Sequence, residues 1–565
     1  MKQIVECVPN FSEGRDQKVI HAITDAVKAV KGVKLLDVDP GEATNRTVVT
    51  FVGELEPVCE AAFQAVAVAA RLIDMRRHHG AHPRMGATDV LPLVPVSGIT
   101  LEECAERSRQ LAQRIADELQ IPCYCYEAAA LRPERRNLAV CREGEYEALP
   151  ERLADAATAP DYGARPFDEG VARTGCTVVG ARDFLIAVNF NLNTTSTRRA
   201  NAIAFDVREK GRPLREGGKL TGKPIKDEHG ETIMQPGTLK ATKAIGWYID
   251  EYGIAQVSMN ITDINVTPLH KAFDEVCRCA MNRGLRVTGT EIVGLIPKRV
   301  LIEAGRYYLE KQQRSVGVPE DDIISMAVKS MSLNDLKPFD PHEKVVEMLL
   351  EDDGRQPRLV DLSVQAFTEE TSRESPAPGG GTISACMGAL GAALGTMVAN
   401  LSAHKRGWDD RWEEFSRWAD KGQRLQQRLL SLVDEDTEAF NGIMAALGMP
   451  KSTPEEKAAR KEALQQATLV ATQIPLETMR TAFKAFEVCR AMAAEGNPNS
   501  VSDAGVGALA IRAAVRGAGL NVKINAASLS DRGVADELVG EAHALIEKAD
   551  CEEREILKIV EEKIG

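Results

Sequence analysis

The chain has no long apolar run. Its longest stretch of small apolar residues, Met387 to Leu401, is short and rich in Gly and Ala, so no bilayer span is expected. The N-terminus, MKQIVECVPNFSEGRD, lacks the apolar core and small-residue cleavage site of a secretory signal. A cytosolic protein without a membrane partner is the expectation. Suitably spaced cysteine pairs are missing as well. The twelve cysteines are scattered, and the close pairs Cys123/Cys125 and Cys277/Cys279 have one intervening residue, which fits neither a zinc site nor a thioredoxin motif. They read as reduced structural thiols, and no metal is expected. Positive charge is in deficit: 83 acidic against 70 basic residues leave a net charge of -13, which argues against a nucleic-acid partner.

What is present is an ordinary soluble composition, 44% hydrophobic and 27% charged, spread over 565 residues. That length exceeds what one core organises. The most informative stretch is His79 to Pro95, HGAHPRMGATDVLPLVP, because its pattern returns in the second half without the histidine. Gly86-Ala87-Thr88-Asp89-Val90 through Pro95 aligns with Gly289-Thr290-Glu291-Ile292 through Pro297 once the residue after the glycine is skipped. Shared residues then belong to architecture, and the residues peculiar to one half are candidates for chemistry.

The rest of this region fits two related halves. An opening strand ending in Asn-Phe occurs at Ile4 to Phe11 and at Phe184 to Phe190. The second is followed by a helical stretch around Arg198 to Val207. Strand pairs follow at Val33 to Asp39 with Thr47 to Val52, and at Ile245 to Ile249 with Ala255 to Ile261. Pro57 and Pro268 then open amphipathic helices. Each half reads strand, helix, strand, strand, helix, strand, helix, which predicts two similar α/β-sandwich subdomains with a cleft between them. The expected limits are residues 1–180 and 181–335. Residues 336–357, rich in proline and charge, read as a linker with a short helix at Pro341 to Leu350. Residues 358–565 have helical periodicity almost throughout and read as an all-α domain.

Four places carry chemical meaning. His82 precedes Pro83, so it belongs to a loop or strand end, and a neutral imidazole there is fit to act as a general base. Asp37 and Asp39 close the neighbouring strand, and Asp39, at the turn, can orient an imidazole or a substrate cation. Arg208 to Lys226 carries seven basic residues against two acidic ones. It reads as a mobile basic excursion, or more sharply as a loop that attracts a polyanionic tail. Gly379, Gly380 and Gly381 precede a helix capped by Thr382 or Ser384, where backbone N–H groups can hold an anion, and small residues Gly388, Ala392, Gly395 and Ala399 permit close helix packing.

The fourth is Asp436. The apolar stripe Leu425, Leu429, Val433, Phe440, Ile443 and Leu447 demands an apolar residue where Asp436 stands. Burial disfavours the ionised form, so its pKa should be raised and it should exchange a proton near neutrality. A buried aspartate satisfied by a cap or a lysine accounts for the same placement.

ECVPNFSEGR, LLDVDPG with Asn45-Arg46-Thr47, HPRMGATDV, IGWY, SPAPGGG, LVDEDTEAF and GNPNSVSD together resemble the formimidoyltransferase-cyclodeaminase family, bifunctional folate enzymes of histidine breakdown. The resemblance covers nearly the whole chain, in order. It implies tetrahydrofolate, as a polyglutamylated co-substrate, in a channel between two α/β subdomains, N-formimino-L-glutamate as donor, a helical C-terminal domain and a ring-like homo-octamer. By the same resemblance His82 is the transferase base, Asp436 the cyclodeaminase aspartate and Asp39 a supporting acid. The folate-contacting segment corresponds to Gly163, Ala164, Arg165, Pro166, Phe167, Asp168, Glu169, Gly170, Val171 and Ala172, whose sequence departs from the family pattern. Gly379, Gly380, Gly381, Asn497, Ser502 and Asp503 are candidate walls of the second site. Three competing readings remain: a helical domain acting as a methenyltetrahydrofolate cyclohydrolase, a helical domain serving only assembly, and a non-enzymatic scaffold that binds polymers.

Overall fold

The computed structural model describes residues 3–41, 45–80, 83–218, 222–351, 358–374 and 377–565. His82 lies outside the described residues. The chain divides into two compact units: residues 1–300 with 331–350, and residues 301–330 with 351–565.

The first unit holds mixed α/β sheets. One is built from β1 (Ile4–Cys7), β2 (Asn10–Phe11), β3 (Val33–Gly41), β4 (Arg46–Gly53), β5 (Thr88–Ser97), β6 (Cys123–Glu127) and β7 (Thr177–Ala181). Here β1 and β2 run between β4 and β5 as one interrupted strand, β3 flanks β4, and β7 and β6 extend the sheet in parallel beyond β5. With partners on both sides, β5 is buried from Thr88 to Val94 and reads as a continuous apolar run. Helices Gln17–Lys28, Leu55–Leu72 and Leu101–Leu119 contribute Ile23, Ala62, Val66 and Ile115 to the core of this sheet.

The second sheet contains β8 (Ile186–Leu192), β11 (Thr242–Ile249), β12 (Ile254–Ile261) and β13 (Val287–Val293), while β9 (Arg212–Pro213) and β10 (Met234–Gln235) pair separately. Its order, β11-β12-β8-β13, repeats β3-β4-β1/β2-β5 of the first sheet. The register repeats too: Phe11 stands opposite Thr88, and Phe190 opposite Thr290, the pairing that the sequence alignment requires. β11 alternates, with Thr242, Ala244 and Gly246 buried and Lys243, Ile245 and Trp247 outward. Gly246 is needed because a Cβ would lie 2.2 Å from the Asn201 nitrogen of helix Thr197–Val207. The tract after that helix is no unstructured excursion. Beyond β9 and β10, Arg215 bridges Pro224 and Lys226 bridges Thr232, so its described residues fold back on themselves. Strand β13 is covered at its edge: Thr290 N donates to Ser332 O (3.1 Å), and Asp335 accepts from Asn191 (2.9 Å) and Thr288 (3.2 Å).

The second unit is helical, with long helices Gly380–Ala403, Trp412–Gly448, Pro454–Glu495, Val501–Ala526 and Arg532–Ile564. The apolar run near Met387 extends into a 24-residue helix, long and apolar enough by composition to cross a membrane. Its small residues are instead packed into the core. A Cβ at Gly391 would meet Gly507 O at 2.8 Å, and one at Gly395 would meet Cys489 Sγ at 3.2 Å, so neighbouring helices approach to backbone distance along this stripe. The linking helix is broken at Val345, which bridges Ile296 between helices Pro341–Lys344 and Val346–Glu351.

Candidate active sites

In the first unit a groove of about 740 Å³ is lined by Asn10, Arg46, Arg136 and Arg182 from the first sheet and its loops, and by Lys243 and Thr262 from the second sheet. A neighbouring cleft of about 630 Å³ shares Asn137, Leu138, Arg142 and Lys243 with it and reaches Pro83 and Arg84, the residues that follow His82. The lining mixes both signs of charge: Arg46, Arg136, Arg142, Arg182 and Lys243 stand with Glu102, Glu127, Asp183 and Asp263, and the cationic members suit carboxylates. They are separated widely in the chain, which is why no run of basic residues announces them.

The segment around His82 is held at both ends. Upstream, the His78 ring Nε2 meets Asn45 O at 2.8 Å, and Asn45 Nδ2 donates to His79 O (3.0 Å) while its Oδ1 accepts from Gly14 N (3.0 Å). Burial lowers the His78 pKa and so favours the neutral form of this anchoring ring, against the hydrogen bond to Asn45 O. Downstream, Arg84 forms ion pairs with Glu147 (2.7 Å) and Glu145 (3.1 Å), and Met85 N donates to Asp89 Oδ1 (3.0 Å). Asp39 is exposed on β3 opposite Val48 of β4. Arg46 connects it to this region. Burial pulls the Arg46 pKa down, and the charges of Asp39 and Asp89 oppose that shift. The structure therefore places the Asp39 strand beside Arg46, next in sequence to the asparagine that holds the histidine segment.

None of the residues from Gly163 to Ala172 lines either cleft. The segment leaves a buried ion pair, Arg135 with Asp161 at 2.5 Å, whose Asp161 also accepts from Cys125 N (2.8 Å). Gly163 turns the chain at φ +68°. Arg165 pairs with Asp168, Phe167 packs edge-on against Tyr146, and the short helix Glu169–Thr174 follows.

In the helical unit, Asp436 is half buried on the inner face of helix Trp412–Gly448. Burial pushes its carboxyl up, and hydrogen bonding from Thr382 opposes the rise in part. Thr382 Oγ1 donates to Asp436 Oδ2 at 2.8 Å. Thr382 and Ser384 are not caps. Gly379 is the N-cap, Gly380 and Gly381 already lie in the first turn, and Ser384 Oγ bonds back to Gly380 O at 2.6 Å. Glycine is required at 381, because a Cβ would sit 2.2 Å from Asp436 Oδ1, and at 380 a Cβ would meet Asn521 Nδ2 at 3.2 Å. A carboxyl with a raised pKa, a hydroxyl and a carboxamide thus converge on the start of the helix, a set able to pass a proton and orient a polar ligand. The sequence marks Thr382 only as a candidate cap and gives no sign of Asn521. Asn497 N donates to Ser402 Oγ (2.8 Å) at the other end of the same helix, and Ser502 and Asp503 begin the helix that follows. That end is roughly 30 Å from Thr382 at 1.5 Å per residue. Within one chain, Asn497, Ser502 and Asp503 therefore do not join Asp436.

Comparison with known proteins matches residues 4–182 to the formiminotransferase domain N-terminal subdomain, residues 187–351 to the formiminotransferase domain and residues 363–544 to the formiminotransferase-cyclodeaminase model. A formimidoyltransferase-cyclodeaminase from Rattus norvegicus is 42% identical over 531 residues, covering 94% of each chain. The chain belongs to the formimidoyltransferase-cyclodeaminase family. The halves of this bifunctional family also have separate relatives. A glutamate formimidoyltransferase from Streptococcus pyogenes serotype M1 is 43% identical over 310 residues, 55% of this chain and 94% of that protein. A methenyltetrahydrofolate cyclohydrolase from Methylorubrum extorquens is 36% identical over 203 residues, 36% of this chain and 98% of that protein. The family thus joins, in one chain, units that elsewhere stand alone.

Proposed function

We propose that the chain moves a formimino group from N-formimino-L-glutamate to tetrahydrofolate in the first unit and closes the product to 5,10-methenyltetrahydrofolate in the second. The observation that carries this reading is the pairing, in one family member, of a polar groove with arginines and a lysine beside the His82 segment and a glycine-framed Asp436 whose carboxyl is pushed up by burial. N5 of tetrahydrofolate attacks the formimino carbon, His82 takes the N5 proton, and glutamate leaves with its electron pair and a proton. Asp39 steers the imidazole or balances positive charge on the amidine. Lys243, common to both clefts, suits a substrate carboxylate, while Arg142, also common to both, is held by the buried Asp89. In the second step N10 bonds to the same carbon, its proton and one from solvent pass by way of Asp436 to the former imino nitrogen, and the carbon–nitrogen bond breaks as ammonia departs.

The reading extends to histidine degradation in the cytoplasm, to a homo-octameric assembly and to a polyglutamylated folate, whose tail raises the local concentration of the intermediate near the second site. Gly163 to Ala172 serves as a folate-contacting segment and Gly379 to Gly381 as a wall of the second site. The proposed domain limits remain 1–180, 181–335, 336–357 and 358–565. A second reading, cyclohydrolase chemistry in the helical unit, is favoured by its likeness to the cyclohydrolase of that name.

One assay separates these. Protein, tetrahydrofolate and formiminoglutamate are mixed, and glutamate, ammonia and methenyl-folate absorbance are followed for wild type, His82→Ala and Asp436→Ala. The proposal expects all three products from wild type, none from His82→Ala, and glutamate alone from Asp436→Ala. Glutamate release without ammonia in wild type overturns the second activity, and hydrolysis of added methenyl-folate without any deamination favours the cyclohydrolase.

A further inference from the structure

A cleft of about 540 Å³ in the first unit shares no lining residue with the groove. It lies where three segments meet. Helix Thr197–Val207 contributes Arg198, Arg199 and Phe205, the paired tract after it contributes Arg212 and Arg215, and Arg283 follows helix Leu269–Met281. Five arginines therefore line one cavity, and among the described residues no acidic residue lines it.

Among the described residues, the carboxylate that compensates them is Asp206, which ion-pairs with both Arg212 and Arg283. Arg215 donates to Gly222 O at 2.8 Å, and Arg198 and Arg199 are exposed. One negative charge thus serves two arginines while three more converge without one. In a chain of net charge -13 this is a local reversal of sign. Burial lowers the Arg212 pKa, and the nearby charge of Arg283 lowers it further, so the arginines of this cleft act on one another's charge. Solvated surface arginines splay apart to relieve such repulsion, whereas these are held together by Asp206 and by the folded-back tract. A ligand carrying negative charge would relieve it.

We propose that this cleft binds a compact polyanion, a molecule with two or more adjacent oxyanion groups of phosphate or carboxylate type, independently of the folate groove. Guanidinium forks bind such groups through paired N–H bonds, and several forks around one cavity select for closely spaced charges over a single one. The cleft falls within the roughly 300–1,000 Å³ that small-ligand sites occupy. This inference stands apart from the two-step reaction, since none of these arginines is assigned a part in it.

The test is calorimetric titration of the full chain with sodium pyrophosphate and, separately, with tri-γ-glutamate, each with and without saturating tetrahydrofolate. The variant is Arg198→Gln/Arg199→Gln, two exposed side chains whose loss leaves the Asp206 pairs intact. The expected result is one site per chain for at least one probe, unaffected by tetrahydrofolate and weakened tenfold or more in the variant, with glutamate release unchanged. Binding of pyrophosphate alone identifies a phosphate-type ligand, and binding of tri-γ-glutamate alone an oligocarboxylate; either supports the site. No binding of either probe, displacement by tetrahydrofolate, or equal affinity in the variant would overturn it.

Discussion

Thr382 Oγ1 donates to Asp436 Oδ2 at 2.8 Å from inside the first turn of a helix, and Gly381 beside it leaves the room that the carboxyl fills. A methyl group at 381 would displace that carboxyl, because its Cβ would come within 2.2 Å of Oδ1. Gly381→Ala is expected to lower ammonia release by about a hundredfold, the scale of loss for a catalytic group moved by an ångström. Glutamate release should be unchanged. Parallel assays of the two products on one preparation check both halves of this expectation.

The raised Asp436 pKa fixes a sign for stability. The folded state favours the protonated carboxyl, so this group stabilises the fold below its unfolded pKa, and that contribution is lost as pH rises through the higher folded value. Asp436→Asn carries no such dependence. Urea midpoints of the two proteins should therefore shift in favour of the variant as pH goes from about 4 to about 8. A constant difference between them would contradict the burial argument.

Removal of the hydroxyl that opposes this rise acts in the same direction. Thr382→Val should move the Asp436-dependent limb of the pH profile of ammonia release to higher pH, since hydrogen bonding from Thr382 lowers the carboxyl pKa. The measurement is the profile itself, wild type against variant, with added intermediate so that the first step is bypassed.

Asn45 ties three segments together through Gly14 N, His79 O and the His78 ring. It adopts φ +48° and is buried, so its replacement leaves polar groups without partners. Asn45→Ala should destabilise the first unit by about 1–3 kcal/mol. Glutamate release should fall more than cyclisation of added 5-formiminotetrahydrofolate. Denaturant melts and the two separate assays test this.

The Arg135 and Asp161 side chains are 5% and 4% exposed, so truncation of one leaves the other charged in the interior. Arg135→Ala is expected to cost about 3–5 kcal/mol. Replacement of both by apolar residues should recover part of that loss in thermal melts, because no charge is then stranded.

The repeat was legible because strand order is written in local alternation. The Asn-Phe strand ends and the GATDV/GTEIV match mark equivalent positions, and the structure pairs them equivalently as Phe11–Thr88 and Phe190–Thr290. The break between β1 and β2, at Val8 and Pro9, was not anticipated, and neither was the parallel extension by β7 and β6, which depends on a crossover rather than on a local pattern. Asp436 stood out as a polar intrusion in an apolar stripe. Thr382 did not, since a threonine after glycines reads as a cap until its partner from a helix 54 residues away is in place. Arg136, Arg142, Arg182 and Lys243 share a groove only through tertiary folding, so each looked like an ordinary surface charge.

Strand β13 ends the second sheet, and an uncovered strand edge is a template for pairing with other chains. The residues from Ser332 to Asp335 occupy that edge through Thr290, Asn191 and Thr288. The last residues before the linker therefore act as a guard against aggregation. A transferase fragment cut before Ser332 would keep every strand of its sheets yet expose a sticky border.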